Sequence, residues 1–131
     1  MTTGGTDNSL VIVDLKQHKI DGARLERMLA SMALVVLKHT LPNQKRHRLP
    51  LGIRVSTDSM TLRGFGEEEF EQVAEFINAG IEVTQTILAD EGYSPDLQAS
   101  IDCNSCGKFG NLQTLRQEVD QLASQFPIVW N

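Results

Sequence analysis

The chain has 131 residues, of which 40% are hydrophobic and 22% are charged, and its formal net charge is −5. This length suits one domain with one core, and the composition is that of an ordinary globular protein. The negative charge argues against a nucleic-acid partner, because phosphate contacts require a basic surface. The sequence has no apolar run of the roughly 20 residues that a membrane span requires, so no membrane partner is expected.

The first third of the chain predicts a strand, a helix and a second strand. Residues 1–9 are polar and rich in Gly and Thr, which predicts an extended leading segment. The apolar run Leu10–Leu15 predicts a strand that is buried on both faces or nearly so. Asp21 is a good N-cap for a helix that ends near Met32. Its apolar face would consist of Leu25, Met28, Leu29 and Met32. The apolar residues 33–38 predict the second strand.

The middle of the chain predicts a short strand followed by a long helix. A loop over residues 39–50 leads into the strand Gly52–Ser56, and a turn of small polar residues, Thr57–Ser59, follows it. The helix is expected from about Gly66 to Asp90, because apolar residues recur there every three or four positions. This stripe consists of Phe70, Val73, Ile77, Ile81, Thr84 and Leu88.

The last third predicts an irregular loop over residues 91–111 and a closing helix over residues 112–125. The apolar seam of that helix would be Leu112, Leu115, Val119 and Leu122. The order of these elements predicts an α/β (α+β) fold, a two-layer sandwich in which a sheet of about three strands carries helices on one face. Residues 1–131 are expected to form this single domain.

Arg54 is the strongest candidate for a binding residue. Ile53 and Val55 should point to one side of the strand and Arg54 to the other. An arginine in the centre of a short strand is costly to bury without a partner, and its planar guanidinium suits a carboxylate. The alternative is a surface arginine on an edge strand that pairs with Asp58 or with a carboxylate of the following helix.

Three segments together resemble the C-terminal domain of serine hydroxymethyltransferase, a pyridoxal-phosphate enzyme. They are TGGTDNSLVIVDL at 3–15, GIRVST at 52–57 and TLRGFGEEEF at 61–70. The similarity continues to Phe126-Pro127 and so covers nearly the whole chain. It implies the small-domain fold of fold-type I pyridoxal-phosphate enzymes. A full-length enzyme would begin well before this point, so a fragment or a truncated gene product is expected.

The resemblance also implies roles for individual residues. Arg54 would bind the carboxylate of serine or glycine, in a reaction that interconverts serine and tetrahydrofolate with glycine and methylenetetrahydrofolate. His39 stands where the family usually has an asparagine that contacts the folate pterin. An imidazole offers its donor and acceptor at different angles from an amide, so folate binding by His39 and a histidine without a role both stay open. Arg63 and Gly64 would order the turn into the helix.

Four residues depart from the family pattern, namely Ser9, Ser56, Asp58 and Ser59, where His, Gly, Pro and Ala are usual. An aspartate beside Arg54 would compete for its guanidinium group. These changes suggest relaxed demands on the active site and do not suggest a changed fold.

Two further clusters carry weaker signals. A zinc site at Cys103 and Cys106 would need a second ligand pair at a standard spacing, so neither a metal nor a redox function is expected there. Two cysteines so close together form no disulfide framework, which favours a reducing compartment. The cytoplasm is expected, with an organelle as the alternative. The basic residues 45–48 could attract a polyanionic folate tail or RNA, or could form a solvated loop.

The family's cofactor-binding lysine belongs to a large domain that no segment here resembles. Pyridoxal phosphate is therefore expected only with that domain, and this chain alone is expected to have no catalytic residue and no activity. Two hypotheses follow. The chain either works with a serine hydroxymethyltransferase large domain or full-length subunit, or it is a non-catalytic paralogue that acts as an interaction or regulatory module. Both predict an exposed apolar surface and self-association.

Overall fold

A computed structural model describes residues 4–42, 49–91 and 110–128. Its strands are β1 Leu10–Asp14, β2 Leu37–His39 and β3 Gly52–Ser56. Its helices are α1 Gly22–Ser31, α2 Asp58–Leu62, α3 Glu67–Glu91 and α4 Gly110–Ser124, and a single 3₁₀ turn, Lys16–His18, follows β1.

The three strands form one antiparallel sheet in the order β1-β3-β2. The central strand is therefore β3, the strand that carries Arg54. The helices pack on one face of this sheet, which confirms the predicted two-layer α/β sandwich. No helix among the described residues is long and apolar enough to cross a membrane.

The core lies between the sheet and helices α1 and α3. The apolar face predicted for α1 is confirmed, since each of its four residues is fully buried: Leu25, Met28, Leu29 and Met32. The predicted N-cap is also confirmed, because an Asp21 carboxylate oxygen accepts the Arg24 backbone N–H at 2.9 Å. The second oxygen of that carboxylate lies 3.2 Å from the Arg24 guanidinium. A buried ion pair thus fixes the start of α1 beside the sheet.

The second predicted strand is shorter than expected. Residues 33–36 are not a strand, and β2 begins only at Leu37. Ala33 has a left-handed backbone, with φ of 62°, directly after α1. The N–H groups of Ala33 and Leu34 bond back to carbonyls of Ala30 and Leu29. These bonds close the end of the helix and so prevent the same residues from joining the sheet.

The expectation that β1 is buried on both faces is wrong. All five of its residues are half-buried. The cause is its position, because β1 pairs only with β3 among the described strands and the helices cover one face. Val13 packs toward the core, whereas Ile12 belongs to the opposite face.

The turn predicted at residues 57–59 is instead the start of helix α2. The Thr61 N–H donates to the Thr57 carbonyl at 2.9 Å, and the Thr61 hydroxyl donates to the same oxygen at 2.8 Å. Helix α3 then begins with a side-chain cap, in which a Glu69 carboxylate accepts the Gly66 N–H at 2.7 Å. The segment predicted to be irregular lies outside the described residues, apart from its two ends, which belong to α3 and α4.

Candidate functional site

The strand register places Arg54 at the centre of the sheet. It lies opposite Ile12 of β1 on one side and Leu37 of β2 on the other. Its neighbours along the strand behave as the alternation predicts, because Ile53 is fully buried and Val55 packs against the core. Arg54 itself is exposed, on the face that the described helices leave open. We call this surface the open sheet face, defined by Ile12, Leu37 and Arg54.

Within the part of the chain that the structure describes, the Arg54 side chain forms no hydrogen bond and no ion pair. The alternative placed Arg54 on an edge strand with a bond to Asp58 or to a carboxylate of α3. The edge-strand part is wrong because β3 is the central strand, and neither bond is present among the described side chains. A guanidinium that is held on a rigid strand and has no anionic partner can accept a planar, bidentate ligand such as a carboxylate.

Asp58 does not compete for Arg54, contrary to expectation, because serine hydroxyls engage it instead. Its Oδ2 accepts the Ser9 hydroxyl at 2.9 Å and the Ser56 hydroxyl at 3.2 Å. Three of the four departures from the family pattern therefore form one hydrogen-bonded cluster at the end of β3. The Asp58 carboxylate is thus held by two serine hydroxyls and forms no bond to Arg54.

The sequence interpretation missed the contact between Ser9 and Asp58 because it spans 49 positions along the chain. The available signal was the strand register. Once β1 pairs with β3 so that Leu10 lies opposite Ser56, Ser9 falls opposite Thr57. The Thr57 N–H indeed donates to the Ser9 carbonyl at 3.0 Å.

His39 lies on the same face of the sheet as Arg54. It is the last residue of β2 and lies opposite Gly52, two residues along the sheet from the pair of Leu37 and Arg54. Two residues along a strand correspond to about 7 Å. Its side chain is half-buried. The fold thus brings the two residues that sequence analysis named for substrate and folate to neighbouring positions.

Arg63 and Gly64 lie elsewhere, at the junction of α2, α3 and α4. Arg63 Nε donates to the Phe126 carbonyl at 2.7 Å, and its Nη2 donates to the Ala123 carbonyl at 3.0 Å. Gly64 has a φ of 105°, which glycine adopts far more easily than other residues. Two guanidinium nitrogens of Arg63 therefore hold the end of α4 in place.

The remaining sequence candidates lie outside the described residues. They are Cys103, Cys106 and the basic residues 45–48. Within ranges 4–42, 49–91 and 110–128, no three His, Cys, Asp or Glu side chains come together in a way that could hold a metal ion.

Comparison with known proteins identifies the family. The family model of serine hydroxymethyltransferase matches residues 1–77, which is more than half of the chain and includes Arg54. The chain belongs to the serine hydroxymethyltransferase family. The resemblance seen in the sequence is thereby confirmed.

Individual relatives extend the match to nearly the full chain. The mitochondrial serine hydroxymethyltransferase of Saccharomyces cerevisiae is 33% identical over 98% of this chain and 27% of its own length. The cytosolic enzyme of Oryctolagus cuniculus is 36% identical, again over 98% of the chain and 27% of its own length. Serine hydroxymethyltransferase 3 of Arabidopsis thaliana, a chloroplastic protein, is 33% identical over 98% of the chain. The chain thus spans about a quarter of the length of these relatives.

Serine hydroxymethyltransferases are pyridoxal-phosphate-dependent transferases, but the described residues do not fit that cofactor. A covalent site needs a lysine inside an enclosed pocket with partners for the pyridine ring. The described lysines, Lys16, Lys19 and Lys38, are all exposed. None of them lies in such a pocket, so no step of the chemistry is assigned to them.

Proposed function

We propose that this chain binds the carboxylate of serine or glycine through Arg54, as one part of a serine hydroxymethyltransferase. The rest of the enzyme would hold pyridoxal phosphate, and the whole would interconvert serine and tetrahydrofolate with glycine and methylenetetrahydrofolate. One observation carries this proposal. Arg54 stands unpaired among the described residues, at the centre of a sheet face that no described helix covers, inside the segment that matches the family.

The surroundings of Arg54 suit this role. The apolar side chains of Ile12 and Leu37 lie on either side of it across the sheet. When another part of the enzyme covers this face, these side chains exclude water and lower the local dielectric. An arginine–carboxylate pair is stronger in such surroundings than in bulk water. The chain's own contribution is therefore to bind and orient the substrate.

His39 extends the proposal to folate. It shares the open sheet face with Arg54 and lies about two residues farther along the sheet. A neutral imidazole can donate one hydrogen bond and accept another. We propose that His39 forms part of the wall of the folate site, beside the bound amino acid.

The isolated chain is expected to remain colourless with pyridoxal phosphate and to convert no serine to glycine. The reason is that a cofactor site needs a lysine in an enclosed pocket, whereas the described lysines are exposed. A chimera in which this chain replaces the matching quarter of the cytosolic enzyme of Oryctolagus cuniculus should bind the cofactor and convert serine. Absorption spectra and a serine–glycine exchange assay measure both properties.

Each outcome of that experiment has a clear meaning. A stable adduct of the isolated chain with pyridoxal phosphate, trapped by borohydride on one lysine, would contradict the assignment of the cofactor to the rest of the enzyme. A chimera that folds and binds the cofactor but fails to convert serine would contradict the proposed function.

A second candidate is a non-catalytic module that uses the same face to bind a full-length relative or another copy of itself. Two observations favour it: the Ser9–Ser56–Asp58 cluster replaces family residues, and Leu37 on the open sheet face is 51% exposed. A surface that exposes apolar side chains in this way is typical of an interaction site.

This candidate predicts association of the chain that depends on its concentration and on Leu37. Sedimentation velocity at rising concentration should show a larger species, and Leu37→Glu should abolish it because a charge would then have to be buried. Leu62→Glu is the matched control. Leu62 is 90% exposed at the end of helix α2 and does not belong to the open sheet face. A strict monomer that also fails to bind a full-length relative would exclude this candidate.

A further inference from the structure

A cavity of about 310 Å³ lies away from Arg54, on the helix side of the sheet. It is lined by β3, helices α2, α3 and α4, and the segment that follows α1, and it is partly open to solvent. The surrounding cluster is rich in aromatic rings, with the Phe65 ring 5.6 Å from that of Phe70 and 4.8 Å from that of Phe126. Phe65, Phe76, Val119 and Leu122 are buried around it. Most of the wall is therefore apolar.

Arg63 and Ser59 contribute polar groups to the lining of this cavity. Arg63 is half-buried and forms no ion pair with any described residue. Two of its nitrogens donate to the backbone carbonyls of Ala123 and Phe126, whereas Nη1 has only the Met60 sulfur, at 3.7 Å. A thioether is a weak acceptor. Ser59 also lines the cavity; it is exposed and forms no side-chain hydrogen bond within the described ranges. It lies four residues before Arg63 across helix α2, so the two residues lie on the same side of that helix.

These features describe a specific chemistry. A guanidinium nitrogen and a hydroxyl on the same side of α2 can bind an anionic oxygen, while the apolar walls can accept a hydrocarbon chain. The volume corresponds to about ten atoms of the size of a water molecule, at ~30 Å³ each. We propose that this cavity binds a small amphipathic carboxylate, with its headgroup on Arg63 Nη1 and Ser59 and an alkyl chain of about eight carbons between α3 and α4.

Octanoate is the direct probe, because its size and charge match the cavity. Isothermal titration of the isolated chain at pH 7 should show saturable, one-site binding. The neutral analogue 1-octanol should bind roughly tenfold to hundredfold more weakly, since it cannot form the charge-assisted bond to Arg63. Octylamine, which is cationic at this pH, should not bind.

Variants at other positions locate the site while Arg63 itself is kept. Ala123→Leu should fill the cavity and abolish octanoate binding, because Ala123 lines it on α4. Ala89→Leu is the matched control on an exposed position of α3 and should leave binding unchanged. Ser59→Ala should weaken octanoate several-fold and 1-octanol less, because a hydrogen bond to a carboxylate is stronger than one to a neutral hydroxyl.

The proposal is overturned by any of three results: no saturable octanoate binding, equal affinity for octanoate and 1-octanol, or unchanged binding in Ala123→Leu. It is also overturned if the chain forms a dimer that Ala123→Leu abolishes and that octanoate does not dissociate. In that case a second copy of the chain occupies the cavity.

Discussion

Replacing Arg54 with lysine in the chimera is expected to lower the affinity for glycine roughly tenfold to hundredfold. Lysine keeps the positive charge but loses the two parallel bonds of the guanidinium group. A hydrogen bond to a charged group contributes roughly 1.5–3 kcal/mol, and 1.4 kcal/mol is about a factor of ten in affinity. The affinity for pyridoxal phosphate should not change, because Arg54 lies on the open sheet face and the cofactor is assigned to the rest of the enzyme.

Glycine titration of the chimera, followed by its absorption spectrum, measures this effect. Arg27→Lys is the matched control, because Arg27 is an exposed residue of helix α1 and should tolerate the same change. Unchanged glycine affinity in Arg54→Lys would mean that Arg54 does not bind the carboxylate, and the proposed role of the open sheet face would be lost.

Replacing Gly22 with alanine is expected to destabilise the isolated chain by about 3 kcal/mol, at the upper end of the range for overpacking. A Cβ at this position would fall on the carbonyl oxygen of Gly52 and lie 3.2 Å from that of Pro50. Both obstacles are backbone atoms, and the Gly22 N–H donates to the same Pro50 carbonyl at 2.6 Å. Neither side can therefore move without separating α1 from the start of β3.

Urea unfolding followed by circular dichroism tests this expectation. Gly5→Ala is the control, because nothing lies within 4 Å of a Cβ added there, and its effect should stay within about 0.5 kcal/mol. Equal stability of Gly22→Ala and Gly5→Ala would contradict the close packing of α1 on β3. The same packing holds the strand that presents Arg54, so glycine binding by a Gly22→Ala chimera should also weaken.

The features that sequence analysis predicted correctly depend on local patterns. Helix α1 follows from a capping aspartate and a 3.6-residue apolar period, both of which are visible within a dozen residues. Arg54 could be assigned to the side of β3 opposite Ile53 and Val55 because side chains alternate along any strand. Neither inference requires knowledge of what packs nearby.

The features that were missed depend on contacts between distant residues or on a single backbone angle. The apolar residues before Leu37 have strand-like composition, but the left-handed conformation of Ala33 commits them to closing α1. Asp58 follows Arg54 closely in the sequence and looked like its competitor. Instead, the hydroxyl of Ser9, which is 49 positions away, donates a hydrogen bond to Asp58. Hydrogen-bond partners of this kind become visible only after the strand register is known.

The central claim is that Arg54 recognises a carboxylate, and one comparison tests it most directly. Serine and ethanolamine differ only in that carboxylate, so their affinity ratio in the chimera isolates its contribution. We expect serine to bind at least tenfold more tightly than ethanolamine when Arg54 is present, and the ratio to fall close to one in Arg54→Met. The same large ratio in both proteins would show that another residue binds the carboxylate and would contradict the account.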